Sequence, residues 1–306
     1  MSNFDSSKGY QPKPFLDIFN LNLPEEVTYE NSDAVIVPFG YEGTVTFGHG
    51  TDKGPAGLIE ASWQVETFDD ELLDDVTNHV KIWTTPQPEM PKEPEQACAV
   101  LKDVVSGLIE NKKLPVVIGG EHSISYGFMQ ALNDKYQDIS VLVFDSHLDL
   151  GDQWSERDFT HAAWLKYSVD LPNVKKASLV GIRNFNKLEY AYWQNNPERV
   201  RVFLSKNRKN WSIDEIVESL GENVFLSFDI DAFDASMIPA TGTPEPGGPM
   251  WDEILPIIKA VAKKKNIIGL DLVELAPIKG LTAPDFMAAK LLMKMILYKF
   301  KAKELK

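Results

Sequence analysis

The sequence predicts an α/β fold, one domain with a mainly parallel sheet and helices on both faces, on three observations. Seven short apolar runs, each the length of a buried strand, alternate with longer amphipathic stretches. No internal repeat is present, and no Pro/Gly/Ser-rich linker separates two folding units. With 306 residues and 43% hydrophobic side chains the chain can bury a sizeable core, although length alone admits one large domain or two.

Taken in order, residues 1–32 are polar and carry Pro12, Pro14 and Pro24, which reads as an N-terminal arm suited to oligomer contact, followed by a domain over 33–306. Strands are expected at 34–39, 115–118, 140–144, 177–182, 200–204, 224–228 and 267–272. Helices are expected at 55–66, with proline in the first turn, and at 93–110, 123–133, 212–220, 250–264 and 283–298. Residues 84–95 form a proline-rich surface crossing, and the charged C-terminal octapeptide reads as a solvated helix end.

Composition narrows the partners. A net charge of -14 argues against nucleic acid or an anionic membrane, both of which require clustered Lys and Arg, and suits a small cationic or neutral substrate. The same charge also serves plain solubility. The single cysteine, Cys98, excludes an internal disulfide and a thiolate cluster, so a reducing compartment, the cytoplasm, is expected. Neither a secretion signal nor a run of 18 apolar residues is visible.

Four expected strands run into residues that a core would reject: His122; Asp145, His147 and Asp149; Asp229 and Asp231; and Glu274. In an open parallel sheet ligands bind beyond the carboxyl ends of the strands, so these side chains are directed to one crevice. The polar residues of Asp145-Ser146-His147-Leu148-Asp149 recur at every second position, which an extended backbone turns to one side, and Asp229 and Asp231 repeat the spacing. Alone, an Asp-x-Asp is usually a turn and a single histidine a hydrogen-bonded structural residue; together the four segments are far more specific. Four carboxylates packed with two imidazoles repel one another unless cations neutralise them, and two divalent ions match them in charge. The oxygen-rich set without thiolate suits manganese, with cobalt, nickel, iron or zinc open. A pair of such ions about 3.5–4 Å apart would share a bridging water and lower its pKa towards neutrality.

These residues resemble the ureohydrolase family, which includes arginase, agmatinase, guanidinobutyrase and formimidoylglutamase. Ile118-Gly-Gly-Glu-His122-Ser, Phe144-Asp-Ser-His-Leu-Asp149 and Ser227-Phe-Asp-Ile-Asp231, continued by Pro239 to Gly248, resemble its three signatures, and the similarity spans about residues 33–300. The resemblance implies a three-layer α/β/α arginase-like domain assembling into trimers or hexamers. It implies that His122, Asp145, Asp149 and Asp229 hold one manganese and that Asp145, His147, Asp229 and Asp231 hold the other. His161 is implied in proton transfer and Glu274 in gripping a guanidinium. The expected chemistry is attack of a metal-bridging hydroxide on the guanidinium carbon, with Asp149 accepting a proton.

Departures bear on the substrate. Ser146 stands where the family usually has alanine. Loop 151–160, with Trp154 and Arg157, lacks the arginase residues for an amino-acid head group, and Asn184 stands where arginases have an aspartate. Tyr41 to Thr51 and Ile59 to Glu66 look more like agmatinases, so agmatine, cleaved to putrescine and urea, is the expected substrate. Guanidinobutyrase, guanidine hydrolase, arginase and formimidoylglutamase activities stay open, as does a non-catalytic relative kept for assembly or regulation. Trp154 and Asn184 are expected on the substrate's far end, and His49 reads as a surface or loop-bridging histidine.

Overall fold

The computed structural model describes residues 14–16, 27–151 and 159–305. Its elements in chain order are β1 (Ala34–Phe39), α1 (Gly54–Ser62), β2 (Phe68–Asp69), β3 (Asp74–Asp75), β4 (Ile82–Thr84), α2 (Pro94–Glu110), β5 (Leu114–Gly119), α3 (Ser125–Lys135) and β6 (Ile139–Phe144). There follow α4 (Trp164–Val169), β7 (Val174–Ile182), α5 (Lys187–Asn195), β8 (Val200–Leu204), α6 (Ile213–Glu218), β9 (Asn223–Asp229), α7 (Trp251–Lys264), β10 (Asn266–Val273) and α8 (Ala283–Lys301). All seven expected strands form. The helix expected over 55–66 stops at Ser62. The sequence reading missed β2, β3, β4 and α4, which are too short to display a periodicity, and also α5. A local device starts α5: Asn186 accepts from the amides of Leu188 and Glu189, and the Glu189 side chain returns to the Asn186 amide.

Eight strands form one sheet in the order β4-β1-β5-β10-β9-β6-β7-β8, every neighbouring pair parallel. Successive residues serve opposite faces, as the pleat requires. Leu142 and Phe144 of β6 pack with Leu58, Ile216, Ile254 and Leu291 of α1, α6, α7 and α8. Val141 and Val143 pack with Leu101, Phe128 and Trp164 of α2, α3 and α4. The result is a three-layer α/β/α domain around an all-parallel sheet, in which near-continuous apolar strands are the expected pattern. No helix among the described residues is long and apolar enough to cross a membrane.

Strand order positions the site. β5 and β6 are consecutive in this sheet's part of the chain, yet β10 and β9 lie between them, so the strands' crossovers diverge around the centre. All four central strands, β5, β10, β9 and β6, end on the same edge, and each ends at one of the polar clusters. Two glycines permit the close fit there. A Cβ at Gly120 would lie 1.9 Å from the carbonyl oxygen of Tyr41, so only glycine lets the loop after β1 cross the end of β5. Gly181 has φ +102° and sits against the carbonyl of Asp145.

Candidate metal centre

His122 opens a 3₁₀ turn just after β5, and its Nδ1 lies 3.3 Å from a carboxylate oxygen of each of Asp145, Asp149 and Asp229. A second group adjoins it: His147 Nδ1 is 3.0 Å from Asp231 and 3.5 Å from Asp145. Asp145 belongs to both, offering Oδ2 to His122 and Oδ1 to His147. His122, Asp145, Asp149, Asp229 and Asp231 are all buried, and His147 is partly exposed. The six residues expected to ligate metal are therefore brought together in one cluster.

The local backbone differs from simple strand alternation. Regular pairing of β6 ends at Phe144; beyond it His147 bridges to Asn184, and the amides of Arg183 and Asn184 donate to the Ser146 carbonyl. Asp149 then adopts a left-handed conformation, φ +49°, which returns its carboxylate to His122. Asp231 lies in a 3₁₀ turn whose N-cap is Asp229, with Asp229 Oδ1 accepting the Asp231 amide at 2.8 Å. Glu274 is left-handed too, φ +64°. A non-glycine residue in that region costs roughly 1–2 kcal/mol, so these turns are held by their surroundings.

Each carboxylate is oriented by donors. Asp145 Oδ1 accepts the His147 amide at 2.6 Å, Asp231 Oδ1 the Ser146 amide at 3.0 Å, and Asp149 Oδ2 the Trp164 indole N–H at 3.0 Å. Ser227 Oγ lies 2.9 Å from Nε2 of His122, so the ring's other nitrogen is also fixed. Arg183 donates to the carbonyls of Gly181, Asp231, Ala232, Phe233 and Glu245, bracing the turn that carries Asp231. Sequence reading assigned no role to Ser227, Trp164, Arg183, Thr44 or Glu121. Only Glu121 carried a signal, as a charge set between a glycine pair and a histidine.

The electrostatics call for added positive charge. Burial, reinforced by Asp145, raises the Asp149 carboxyl to about 6, and burial with Asp231 and Asp145 raises Asp229 well above the carboxylate range. Burial and Glu121 raise Glu274 to about 8. Burial opposes charge on His122 and His147, yet the surrounding carboxylates outweigh it and drive both well above a normal histidine. His122 Nδ1 and Asp145 Oδ2 are buried without a hydrogen-bond partner, although they face each other at 3.3 Å. Such orphaned atoms are costly unless a cation joins them, and four carboxylates with two imidazoles fit a pair of divalent ions.

Glu274, at the end of β10, accepts the His122 amide on Oε1 at 2.6 Å, placing it beside the cluster. His161 opens the 3₁₀ turn before α4, with Nδ1 3.1 Å from Thr44 Oγ1. Asn184 pairs with His147 through the backbone and donates its amide to Glu245 at 2.7 Å. His49 is exposed and lies 3.1 Å from Glu42. Trp154 and Arg157 lie outside the described residues.

A parallel α/β sheet whose central strands deliver a carboxylate–histidine cage at one edge defines a class of metallohydrolase, and the arginase family model matches residues 32–298. The chain belongs to that family and is an agmatinase-like ureohydrolase, a hydrolase of C–N bonds in linear amidines, a family that uses a binuclear metal centre. It is 32% identical to the N(1)-aminopropylagmatine ureohydrolase of Synechocystis, covering 94% of each chain. It is 29% identical to the agmatinase of Pyrococcus horikoshii, covering 90% of this chain and 94% of that one. The crystal structure of the agmatine ureohydrolase of Thermoplasma volcanium superposes with a TM-score of 0.83 at 24% identity, over 96% of this chain and 97% of the other, which shows the shared fold.

Proposed function

We propose that this chain hydrolyses agmatine to putrescine and urea, using two manganese ions held by His122, Asp145, Asp149 and Asp229 on one side and Asp145, His147, Asp229 and Asp231 on the other. The observation that carries the reading is the convergence of these six side chains around unpartnered, buried His122 Nδ1 and Asp145 Oδ2. Hard carboxylate donors with imidazole favour manganese over softer ions. When bound, such ions neutralise the carboxylates and make water a strong nucleophile near neutral pH.

The chain's residues supply the rest. Asp149, oriented by Trp164, accepts a proton as water attacks the guanidinium carbon. Glu274, in a buried setting that raises it to about 8 when no cation is near, grips the guanidinium through charge-assisted hydrogen bonds. His161 passes a proton to the leaving amine. Asn184, beside His147 and held by Glu245, contacts the far end of the substrate, together with Trp154.

A second substrate, N(1)-aminopropylagmatine, is favoured by the name of the 32%-identical relative. Both compounds carry a cationic arm beyond the guanidinium, which suits an acidic chain. Assembly as a homo-oligomer of three or six chains is supported by the family resemblance, and a cytoplasmic setting by the lone buried cysteine. Urea release from manganese-loaded protein given agmatine, N(1)-aminopropylagmatine, arginine, 4-guanidinobutyrate or guanidine separately, and formamide release from formimidoylglutamate, tests the reading. Turnover of agmatine alone is the expected result; turnover of another compound moves the substrate, and no turnover with two metals bound removes the catalytic reading.

A further inference from the structure

The carboxylate of Glu121 has no exposed surface and is met by four donors. The amides of Gly43 and Thr44 each reach Oε2 at 2.6 Å; the hydroxyls of Thr44 and Ser123 reach Oε1 at 2.7 and 2.6 Å. Glu121 thereby ties the loop after β1 to the end of β5. The consequence lies one bond further on. A threonine hydroxyl owns one proton and two lone pairs, and Thr44 commits that proton to Glu121. Its oxygen can then only accept. It accepts the backbone N–H of His161 at 3.1 Å, and it also faces Nδ1 of the same imidazole at 3.1 Å.

Two acceptors cannot form a hydrogen bond, so Nδ1 has to be the donor. We infer that Glu121 and Thr44 are positioning residues that hold neutral His161 in its Nδ1–H tautomer, leaving the lone pair on Nε2 as the atom that takes up and returns a proton. Burial disfavours charge on this ring and lowers its pKa below the usual histidine value, so the neutral form, for which the tautomer matters, is the resting one near pH 7. Proton transfer to a leaving amine then has a defined order: Nε2 first takes a proton from solvent water and afterwards donates it to the departing amine nitrogen, with Glu121 steadying the imidazolium through the Thr44 hydroxyl. An Nε2–H ring could not gain a proton at that atom. The tautomer follows from hydrogen bonding alone, whereas its catalytic use rests on the function proposed above.

The test separates the two. Protein labelled with ¹⁵N-histidine and loaded with diamagnetic zinc contains five histidines, and His161 is identified by its loss in His161→Gln. Long-range ¹H–¹⁵N spectra are expected to show Nδ1 protonated and Nε2 bare in the wild type and in Thr44→Ser, and a mixed or reversed tautomer in Thr44→Val. With manganese and the substrate the wild type hydrolyses, Thr44→Val should keep both metals and a KM within about twofold, and lose at least about tenfold in kcat, part of the 10²–10⁴ that acid–base catalysis contributes. Thr44→Ser should restore kcat. An Nε2–H ring in the wild type, an unchanged tautomer in Thr44→Val, or a serine variant as impaired as the valine variant overturns the inference. If the spectra behave as expected while no guanidino compound is turned over, the positioning stands and the proposed function falls.

Discussion

Among the described residues, two dense groups of carboxylates stand in opposite settings. Around the β2–β3 hairpin, Asp69, Asp70 and Glu71 converge on Lys294 of α8, whose Nζ lies 2.7, 2.9 and 3.1 Å from them. Lys259 of α7 and the Tyr298 hydroxyl complete the partners of Glu71. At the carboxyl edge of the sheet, Asp145, Asp149, Asp229 and Asp231 pair with two imidazoles and, among the described residues, with no lysine or arginine. Arg183 is close, yet its two terminal nitrogens donate to backbone carbonyls. A cluster that carries its own cations serves as a clamp between elements. A cluster denied them is one that could hold a metal ion.

The contrast breaks most visibly at the shared ligand. Asp145→Ala is expected to lose both equivalents of metal, measured by elemental analysis, with urea release falling to background; retention of one full equivalent would sink the bridging role. In the wild type, metal at 100 times its Kd should raise stability by about 2.7 kcal/mol, an increment absent from Asp145→Ala. Lys294→Met has the next largest effect and the opposite profile. It strands Asp69 in a buried site and should cost about 3–5 kcal/mol in chemical denaturation while metal content stays the same. Loss of metal in this variant would mean that the two clusters are coupled.

Smaller changes sharpen the comparison. Ser227→Ala removes the hydroxyl facing Nε2 of His122 and should weaken metal affinity by roughly 10–100-fold, measured by competition with a chelator, with little effect on the metal-free fold. The smallest effect is a pH dependence. Burial works against ionised Glu71, but Lys259, Tyr298 and Lys294 outweigh it and hold the carboxyl at about 2, below its ordinary 4.5. The folded state thus binds this proton more weakly than the unfolded state, so the stabilisation is complete above pH 4.5 and disappears as pH falls towards 2. The stability gap between wild type and Glu71→Gln should close across that window; a gap independent of pH would exclude the ionised pair as its source.

Much of this was readable in advance because the periodicities were strong. The seven apolar runs became strands, and the polar residues ending four of them all reached one edge, since a parallel sheet leaves that edge no alternative. The expected spacing argument for Asp145, His147 and Asp149 reached the right neighbourhood by too simple a route: Asp149 depends on a left-handed turn, and Asp231 on a turn capped by Asp229. Single-sequence patterns do not register such turns, because no glycine marks them. Ser227, Trp164 and Thr44 were invisible for a related reason. Hydroxyls and indoles occur everywhere, and only their distance to a specific partner gives them a role.

By itself, then, the order of residues determined the layered α/β class, which carboxylates and imidazoles end the central strands, and the exclusion of a thiolate metal cluster, because burial periodicity and side-chain type are local properties of the chain. The tertiary structure alone decided that β10 and β9 stand between β5 and β6, that Asp145 faces both histidines, and that Thr44 reaches His161 across 117 positions of sequence. Those are relations between segments, fixed by strand order and by close backbone approach at Gly120 and Gly181, and they exist only once the sheet has formed.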